Sequence, residues 1–477
     1  MKHLLSALLL LLLIFSIVSA QQVRAEVLAF THVTVIDMTG APPKPDMTVV
    51  IKGNRITSIG RTEKVRVPQG AQVIDATGKF LIPGLWDMHV HFTETERTFP
   101  MFIANGVLGV RNMGGKPEDL FLWREEVANG KLLGPRLLAG GPIVDGPPIV
   151  ARGPAVSVST AAEGRQMVDK LKQQGADFIK VYDAVARDVY FAIIDEAKRL
   201  KFPVVGHVPL SVTTLEASDA GQKSIEHLGT ILEGCSSIEN ELRRLEAEPM
   251  PAGADLSEIP RRIAARGERM LDTYDEQKAK QLFAHLARNQ TWQVPTLVTK
   301  QALTFIDDIY GNGDERLKYI TQADQKRWSP QENFLLRYRT PEYIVFSKRR
   351  FQKESELVGA LHRAGVPLMT GTDLSIPYIF AGFSLHNELE LFVKAGLTPM
   401  EALQAATRNP AVFLGELGSR GTIERGKIAD LVLLDANPLA NISNTQRINA
   451  VVLNGKYLPK ETLQKMLADV EAAAKRK

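Results

Sequence analysis

The sequence predicts an α/β protein: a (β/α)8 TIM barrel with a small flanking β-sandwich formed by both chain ends. Three observations carry this expectation. Between about Leu81 and Gly418, buried strand-like runs alternate with amphipathic helical patterns, and eight such strands can be counted. Short, turn-punctuated β segments both precede and follow that region. No Gly-x-Gly-x-x-Gly turn follows a strand, so an open doubly wound sheet has no support.

The chain of 477 residues begins with Lys2 and His3, an apolar run from Leu4 to Val18, and the small residues Val18-Ser19-Ala20 before polar Gln21 and Gln22. This is the pattern of a secretory leader cut after Ala20, which predicts an exported protein, periplasmic or extracellular. A membrane anchor is the competing reading, and no later run is apolar for long enough to span a bilayer. Cys235 stands alone, so no internal disulfide can form, and metal ligands must be nitrogen and oxygen donors. The net charge of +4 comes without any long block of one sign, which argues against nucleic-acid or membrane-surface partners. A small molecule is the expected partner. A homo-oligomer is left open.

From Glu26 to Ala76, pieces such as Val33-Thr34-Val35-Ile36 and Met47 to Ile51 are divided by turns at Gly40, Gly53-Asn54 and Gly70. A matching pattern returns from Gly421 to Gly455, so residues 21–80 and 419–460 are expected to build the sandwich. Within residues 81–418, candidate barrel strands end at His91, Met113, Gly140, Tyr182, Val208, Leu228, Leu297 and Asp373. Helical patterns lie between them, for example Thr160 to Gln174, Arg187 to Leu200 and Glu354 to Ala364. Two charge-rich helical stretches, near 233–289 and 300–353, exceed a normal barrel connection and read as insertions. Residues 461–477 place Leu463, Met466, Leu467 and Val470 on one face of a terminal helix.

The chemistry concentrates at strand ends, where barrels of this kind keep their active sites. In Pro83-Gly84-Leu85-Trp86-Asp87-Met88-His89-Val90-His91, the two histidines are two residues apart. They therefore project to one side of a strand and can grip one ion. Lys180, His207, His227 and Asp373 then fall at the ends of later strands. Singly, each has a bland reading: a snorkelling lysine, satisfied core histidines, a helix cap. Together, at strand ends of one barrel, they point to a metal site.

This order of His-x-His, Lys, His, His and Asp resembles the amidohydrolase superfamily over nearly the whole chain after the leader. Gly421-Thr422-Ile423-Glu424-Arg425-Gly426-Lys427-Ile428-Ala429-Asp430 is similar to that family's return strand into its sandwich. Leu385-His386-Asn387-Glu388-Leu389, with Ala395-Gly396-Leu397-Thr398-Pro399, is similar to the imidazolonepropionase-like branch that includes Xaa-Pro dipeptidases. One departure follows the lysine, where Tyr182-Asp183-Ala184 stands in place of a Ser-Gly-Gly type of turn.

The resemblance implies two divalent metal ions, zinc first, with His89, His91 and Asp373 on one and His207 and His227 on the other. Lys180, carboxylated on its amine, would bridge them. The implied reaction is hydrolysis of a small amide or peptide by a hydroxide activated between the ions, with Asp373 moving its proton. A one-metal cyclic-amide hydrolase or deaminase, a lactonase or esterase, and a non-catalytic binding protein are the alternatives.

On the substrate side, Arg111 ends the second strand and is expected either to pair with a substrate carboxylate or to form a structural ion pair. Tyr182 shares the strand face of Lys180 and is expected to donate to the substrate carbonyl. Arg152 and His386 read as rim or structural residues, and the Gly-Pro-rich stretch from Gly140 to Pro154 as a shaped wall.

Overall fold

A computed structural model describes residues 27–248 and 255–476. The leader expected over residues 1–20 lies outside them. Among the described residues, no helix is long and apolar enough to cross a membrane.

The N-terminal strands are β1 (Val27–Val35), β2 (Lys44–Lys52), β3 (Arg55–Arg61), β4 (Gln72–Asp75) and β5 (Phe80–Pro83). The barrel region supplies β6 (Leu85–Val90), β7 (Val107–Asn112), β8 (Arg136–Ala139), β9 (Ile143–Asp145), β10 (Ala155–Ser157), β11 (Ile179–Val181), β12 (Val204–Gly206), β13 (Ser224–Glu226) and β14 (Trp292–Val294). The C-terminal strands are β15 (Leu431–Leu434), β16 (Ile448–Leu453) and β17 (Lys456–Pro459).

Both chain ends meet, as expected, in a structure flanking the barrel. Its strands are hydrogen-bonded into one branched sheet, in the order β17-β16-β15-β5-β1-β2-β3, with β4 also on β1. The branch arises because β1 pairs in parallel with β4 through Leu28 to Thr31 and with β5 through Thr34 and Val35. Phe30, Val33, Val49, Ile51, Leu81, Leu431, Leu433 and Val452 pack its separate core. The terminal helix runs from Lys460 to Ala474 and buries Leu463 and Val470.

The parallel barrel strands form two arcs, β6-β7-β8 and β10-β9-β11-β12-β13-β14. Scattered backbone hydrogen bonds span the gaps: Asp177 N to Ala139 O at 2.9 Å; Gln293 N to Pro367 O at 2.9 Å and Met369 N to Gln293 O at 3.0 Å; and Met88 N to Thr370 O at 2.9 Å with Asp373 N to His89 O at 2.7 Å. The expected eighth strand is therefore an extended segment around Leu368 to Asp373 without a regular ladder. Its backbone is crowded, since a Cβ on Gly371 would stand 2.5 Å from Val294 and 2.8 Å from His89 Cβ.

Most barrel strands end one or two residues before the expected positions, and the seventh ends three earlier. Leu297 instead opens the helix Leu297–Thr304, because Pro295 has no N–H to extend the ladder and Thr296 turns with φ of 51°. The Gly-Pro-rich stretch also differs from the expected loop. It contains β9, which β10 pairs in parallel, and both oxygens of buried Asp145 accept backbone N–H groups from Gly146, Val150, Ala151 and Ala184.

Helix starts follow ordinary capping. The helix expected from Thr160 spans Ala161–Gln173, with the Thr160 hydroxyl accepting from Glu163 N. The two insertions are helical, with Glu239–Ala247, Glu258–Asp272 and Glu276–Arg288 in the first and most of Pro341–Arg363 in the second. They pack on each other at Gly267, where a Cβ would collide with the Phe346 ring.

Candidate metal centre

The barrel interior is filled below its mouth by Trp86, Met88, Met113, Phe178, Val205, Trp292, Val294 and Met369. Above this apolar plug stand the six residues that the sequence singled out. His89 and Lys180 are the fifth and second residues of β6 and β11, while His91, His207 and His227 each follow the last residue of their strands. Asp373 lies past the extended eighth segment. The structure brings all six to one end of the barrel.

The carboxylate of Asp373 is the geometric centre of the group. Its Oδ1 is 3.4 Å from His89 Nε2 and 3.6 Å from His91 Nε2, and its Oδ2 is 4.0 Å from His227 Nε2. The His207 ring follows at 5.0 Å from that of His227. His89, His91 and Asp373 offer ligand atoms that all lie within 4.8 Å of one another.

What the histidines do with their other nitrogen fixes their protonation. His89 Nδ1 is 2.9 Å from Glu226 Oε2, and His207 Nδ1 is 2.8 Å from Asp183 Oδ1. His91 Nδ1 faces the Gly114 carbonyl at 3.5 Å, and His227 Nδ1 faces Thr296 Oγ1 at 2.6 Å. Carboxylates and carbonyls only accept. The Thr296 hydroxyl already donates to Pro295 O at 2.8 Å, so it too must accept from the ring. Each ring therefore carries a proton on Nδ1 and turns its Nε2 to the barrel mouth, the arrangement in which a partner orients a metal-binding histidine. Burial reinforces it, holding His89 and His227 well below the usual histidine range and His91 below it as well.

The Nε2 atoms of His89, His91 and His227 thus crowd around the oxygens of Asp373. That is a juxtaposition which a cation suits. Lys180 adds to the case: it is 1 % exposed, and its Nζ is buried without a hydrogen-bond partner. Burial is the first cause that lowers its pKa, to about 8, which makes the free amine accessible near neutral pH. Its path is kept clear by Gly206, whose φ of 126° suits glycine and whose Cβ would sit 2.3 Å from Val181 O and 2.8 Å from Lys180 Cδ. The donor set and the orphaned amine fit divalent ions bound between nitrogen and oxygen ligands.

Of the substrate-side candidates, Arg111 needs correction. Its side chain is fully buried, and its Nε donates to Met88 O at 2.6 Å and its Nη1 to Ser224 Oγ at 3.0 Å. Nη2 donates to both oxygens of Glu226, at 2.8 and 2.9 Å. The guanidinium sits between the Phe178 and Phe413 rings inside the barrel, so it cannot meet a substrate carboxylate and forms the structural ion pair instead. Tyr182 does stand at the site, stacked on His207 with ring centroids 4.1 Å apart. Arg152 lies over the Phe334 ring and interacts electrostatically with Tyr182, which puts it at the rim of the site, while His386 is buried between Thr445 and Asn105.

Sequence reasoning missed the residues that hold the ligands. Glu226 joins Arg111 to His89, Asp183 orients His207, and Asp87 ties Thr372, just before Asp373, to the first strand through bonds of 2.9 and 2.6 Å. A signal existed for two of them: Glu226 adjoins His227, and Asp183 lies in the atypical Tyr-Asp-Ala turn. A cleft of about 1100 Å³ lined by Phe121, Arg124, Arg136, Arg420 and Asp430 contains none of the six.

Fold and site together define a barrel protein with a candidate metal centre at the C-terminal ends of its strands. Residues 80–458 match the amidohydrolase family, and the chain belongs to that family. It is similar to imidazolonepropionase of Aeromonas hydrophila, with 32% identity over 114 residues, which is 22% of this chain and 27% of that protein. It is also 44% identical to imidazolonepropionase of Pyrobaculum arsenaticum over 78 residues, 16% of this chain and 19% of that one. The chain thus spans only about a fifth to a quarter of the length of these curated relatives. Among solved structures, bottromycin amidohydrolase aligns with a TM-score of 0.73 and 25% identity over 95% of this chain and 92% of that one. A putative prolidase from Bifidobacterium longum aligns at 0.66 and 23% identity over 94% and 99%, which shows the shared fold.

Proposed function

We propose that this chain is a two-metal hydrolase that cleaves the amide or peptide bond of a small substrate, a dipeptide or an N-acyl amino acid. One observation carries the reading: four histidines, each with its Nδ1 proton committed, group around one carboxylate beside a buried lysine amine that has no partner. His89, His91 and Asp373 would hold one ion and His207 and His227 the other, with Lys180, carboxylated on Nζ, shared between them. Zinc suits these donors first, and manganese, iron and cobalt are compatible with them. Ions held there supply positive charge that polarises a carbonyl and makes water more acidic.

The chain's own groups manage the protons. Asp373 takes one from the attacking water and delivers it to the leaving nitrogen. The water oxygen joins the acyl carbon, the carbon–nitrogen bond breaks, and a carboxylic acid and an amine result. The Tyr182 hydroxyl, which has no hydrogen-bond partner among the described residues, donates to the carbonyl oxygen. Asp183 keeps His207 in register by holding its Nδ1 proton. Export after removal of the first twenty residues suits an enzyme that scavenges small extracellular molecules, and N-terminal sequencing of native protein should begin at Gln21.

A one-metal reading draws on the compactness of His89, His91 and Asp373. Metal analysis separates the two, with two equivalents per chain expected. A panel of dipeptides, N-acyl amino acids, cyclic amides and lactones on that protein tests the reaction. One equivalent with turnover of cyclic amides alone would replace the two-metal peptidase reading, and turnover of lactones alone would replace the amidase reading.

A further inference from the structure

A second cluster of charge lies beside the metal centre, inside the insertion that follows β14. The helix Leu297–Thr304 begins at Thr296, which accepts from His227, and Thr299 Oγ1 donates to Thr372 O at 2.6 Å, next to Asp373. Lys300 is the next residue. Its side chain makes no hydrogen bond or ion pair with any described residue, and it lines a cavity of about 80 Å³ together with Arg339, Tyr343, Ser347, Arg350 and Glu354. Arg350 reaches the same neighbourhood from the helix Pro341–Arg363. Its Nη2 is 2.8 Å from where a Cβ on Gly229 would stand, two residues past His227.

The cavity wall carries three cations against one carboxylate. Glu354 accepts from Arg350 Nε at 2.8 Å and offsets one of them. Arg339 is the anomaly. Its side chain is 5 % exposed, it touches Asp307 at 3.3 Å and the Thr304 carbonyl at 3.4 Å through Nη2, and its Nε and Nη1 are buried with no partner. Leaving two guanidinium N–H groups buried and unpaired is costly in a finished fold and ordinary in a binding site awaiting an anion.

We propose that this cavity receives the carboxylate end of the substrate, with Lys300 and Arg339 as the residues that select it. At about 80 Å³ it admits a carboxylate and a few attached atoms but not a whole substrate of ordinary pocket size. The scissile carbonyl would then remain outside, toward His227 and Asp373. This rests on the reading of the centre as an amide hydrolase for its orientation, but anion binding itself does not depend on turnover.

Titration calorimetry on the metal-loaded protein, with N-acetyl-L-leucine and N-acetyl-L-leucinamide as probes, tests it. The acid should bind at least tenfold more tightly than the amide, and Lys300→Met and Arg339→Met should each remove most of that preference. Arg339→Met also discards an underpaired buried cation, so its thermal midpoint without ligand should equal or exceed that of the wild type, while stabilisation by the acid is lost. Equal binding of acid and amide by the wild type, or an intact preference in both variants, overturns the proposal. Absence of amide turnover together with an intact acid preference would leave the anion site standing and sink only the hydrolase reading.

Discussion

Replacing Arg111 separates a substrate contact from a structural ion pair. In the buried triad, the guanidinium gives one proton to Met88 O, one to Ser224 Oγ and a forked pair to Glu226, and both charged side chains are fully excluded from water. Arg111→Met keeps much of the volume but leaves the Glu226 carboxylate buried with only Ser224 and the neutral His89 ring as donors. Removing one partner of such a pair costs about 3–5 kcal/mol. Glu226→Gln should cost a similar amount, because it strands the cation. The double variant Arg111→Met/Glu226→Gln should recover a large part of either loss, since no net charge is then buried. Denaturant unfolding of the four proteins measures this, with the m-value checked for constancy. Glu226→Gln should additionally weaken metal retention, because a carboxamide oxygen holds the His89 Nδ1 proton less firmly. If Arg111→Met unfolds at the wild-type midpoint and instead raises KM only for carboxylate-bearing substrates, the structural assignment is refuted.

Three further outcomes follow from the centre. Asp373→Asn keeps the side-chain size but removes the base, so kcat should fall by about 10²–10⁴, and a change confined to KM would make the residue a substrate contact. Lys180→Ala should lose nearly all activity and part of the bound metal, with partial rescue by short carboxylic acids that can fill the gap; full activity would favour a one-metal site. Asp183→Asn should weaken metal binding or activity by about 10–100-fold, the usual effect of loosening a histidine's hydrogen-bonded partner, and unchanged metal content and turnover would show that the Asp183–His207 bond is incidental.

The six candidate ligands were legible because strand parity and strand-end position are written in local sequence. His89 and His91 share a face by spacing alone, and the remaining four recur where barrel strands stop. Depth along a barrel is not written that way. Arg111 lies inward on β7 at the level of Glu226 and the aromatic plug, and nothing in Gly109-Val110-Arg111 distinguishes that level from the rim. Met369-Thr370-Gly371-Thr372-Asp373 has strand composition and predicts a regular eighth strand, yet the segment pairs with its neighbours only through isolated bridges, a matter of tertiary position that composition does not carry. The cavity lined by Lys300, Arg339 and Arg350 draws on residues 50 positions apart, and only the folded insertion brings them together.

The irregular backbone at the barrel mouth explains how such a site persists. His227, Thr296 and Asp373 all adopt left-handed conformations, with φ of 64°, 51° and 55°. For non-glycine residues each such position costs about 1–3 kcal/mol, and it survives only where surrounding contacts overrule it. Here those contacts are visible. His227 N donates to Val294 O at 2.9 Å, Asp373 N to His89 O at 2.7 Å, and the two oxygens of Glu388 accept from Leu297 N and Val298 N at 3.1 and 2.7 Å. Each turn therefore leans on a neighbouring strand or on a buried carboxylate, and the His227–Thr296 bond ties two of the strained residues to each other. Because these bonds join protein to protein, they set the directions of Asp373 and His227 independently of what lies between them. Folding energy bears the strain, and the contacts that bear it also aim Asp373 and His227 into the candidate centre.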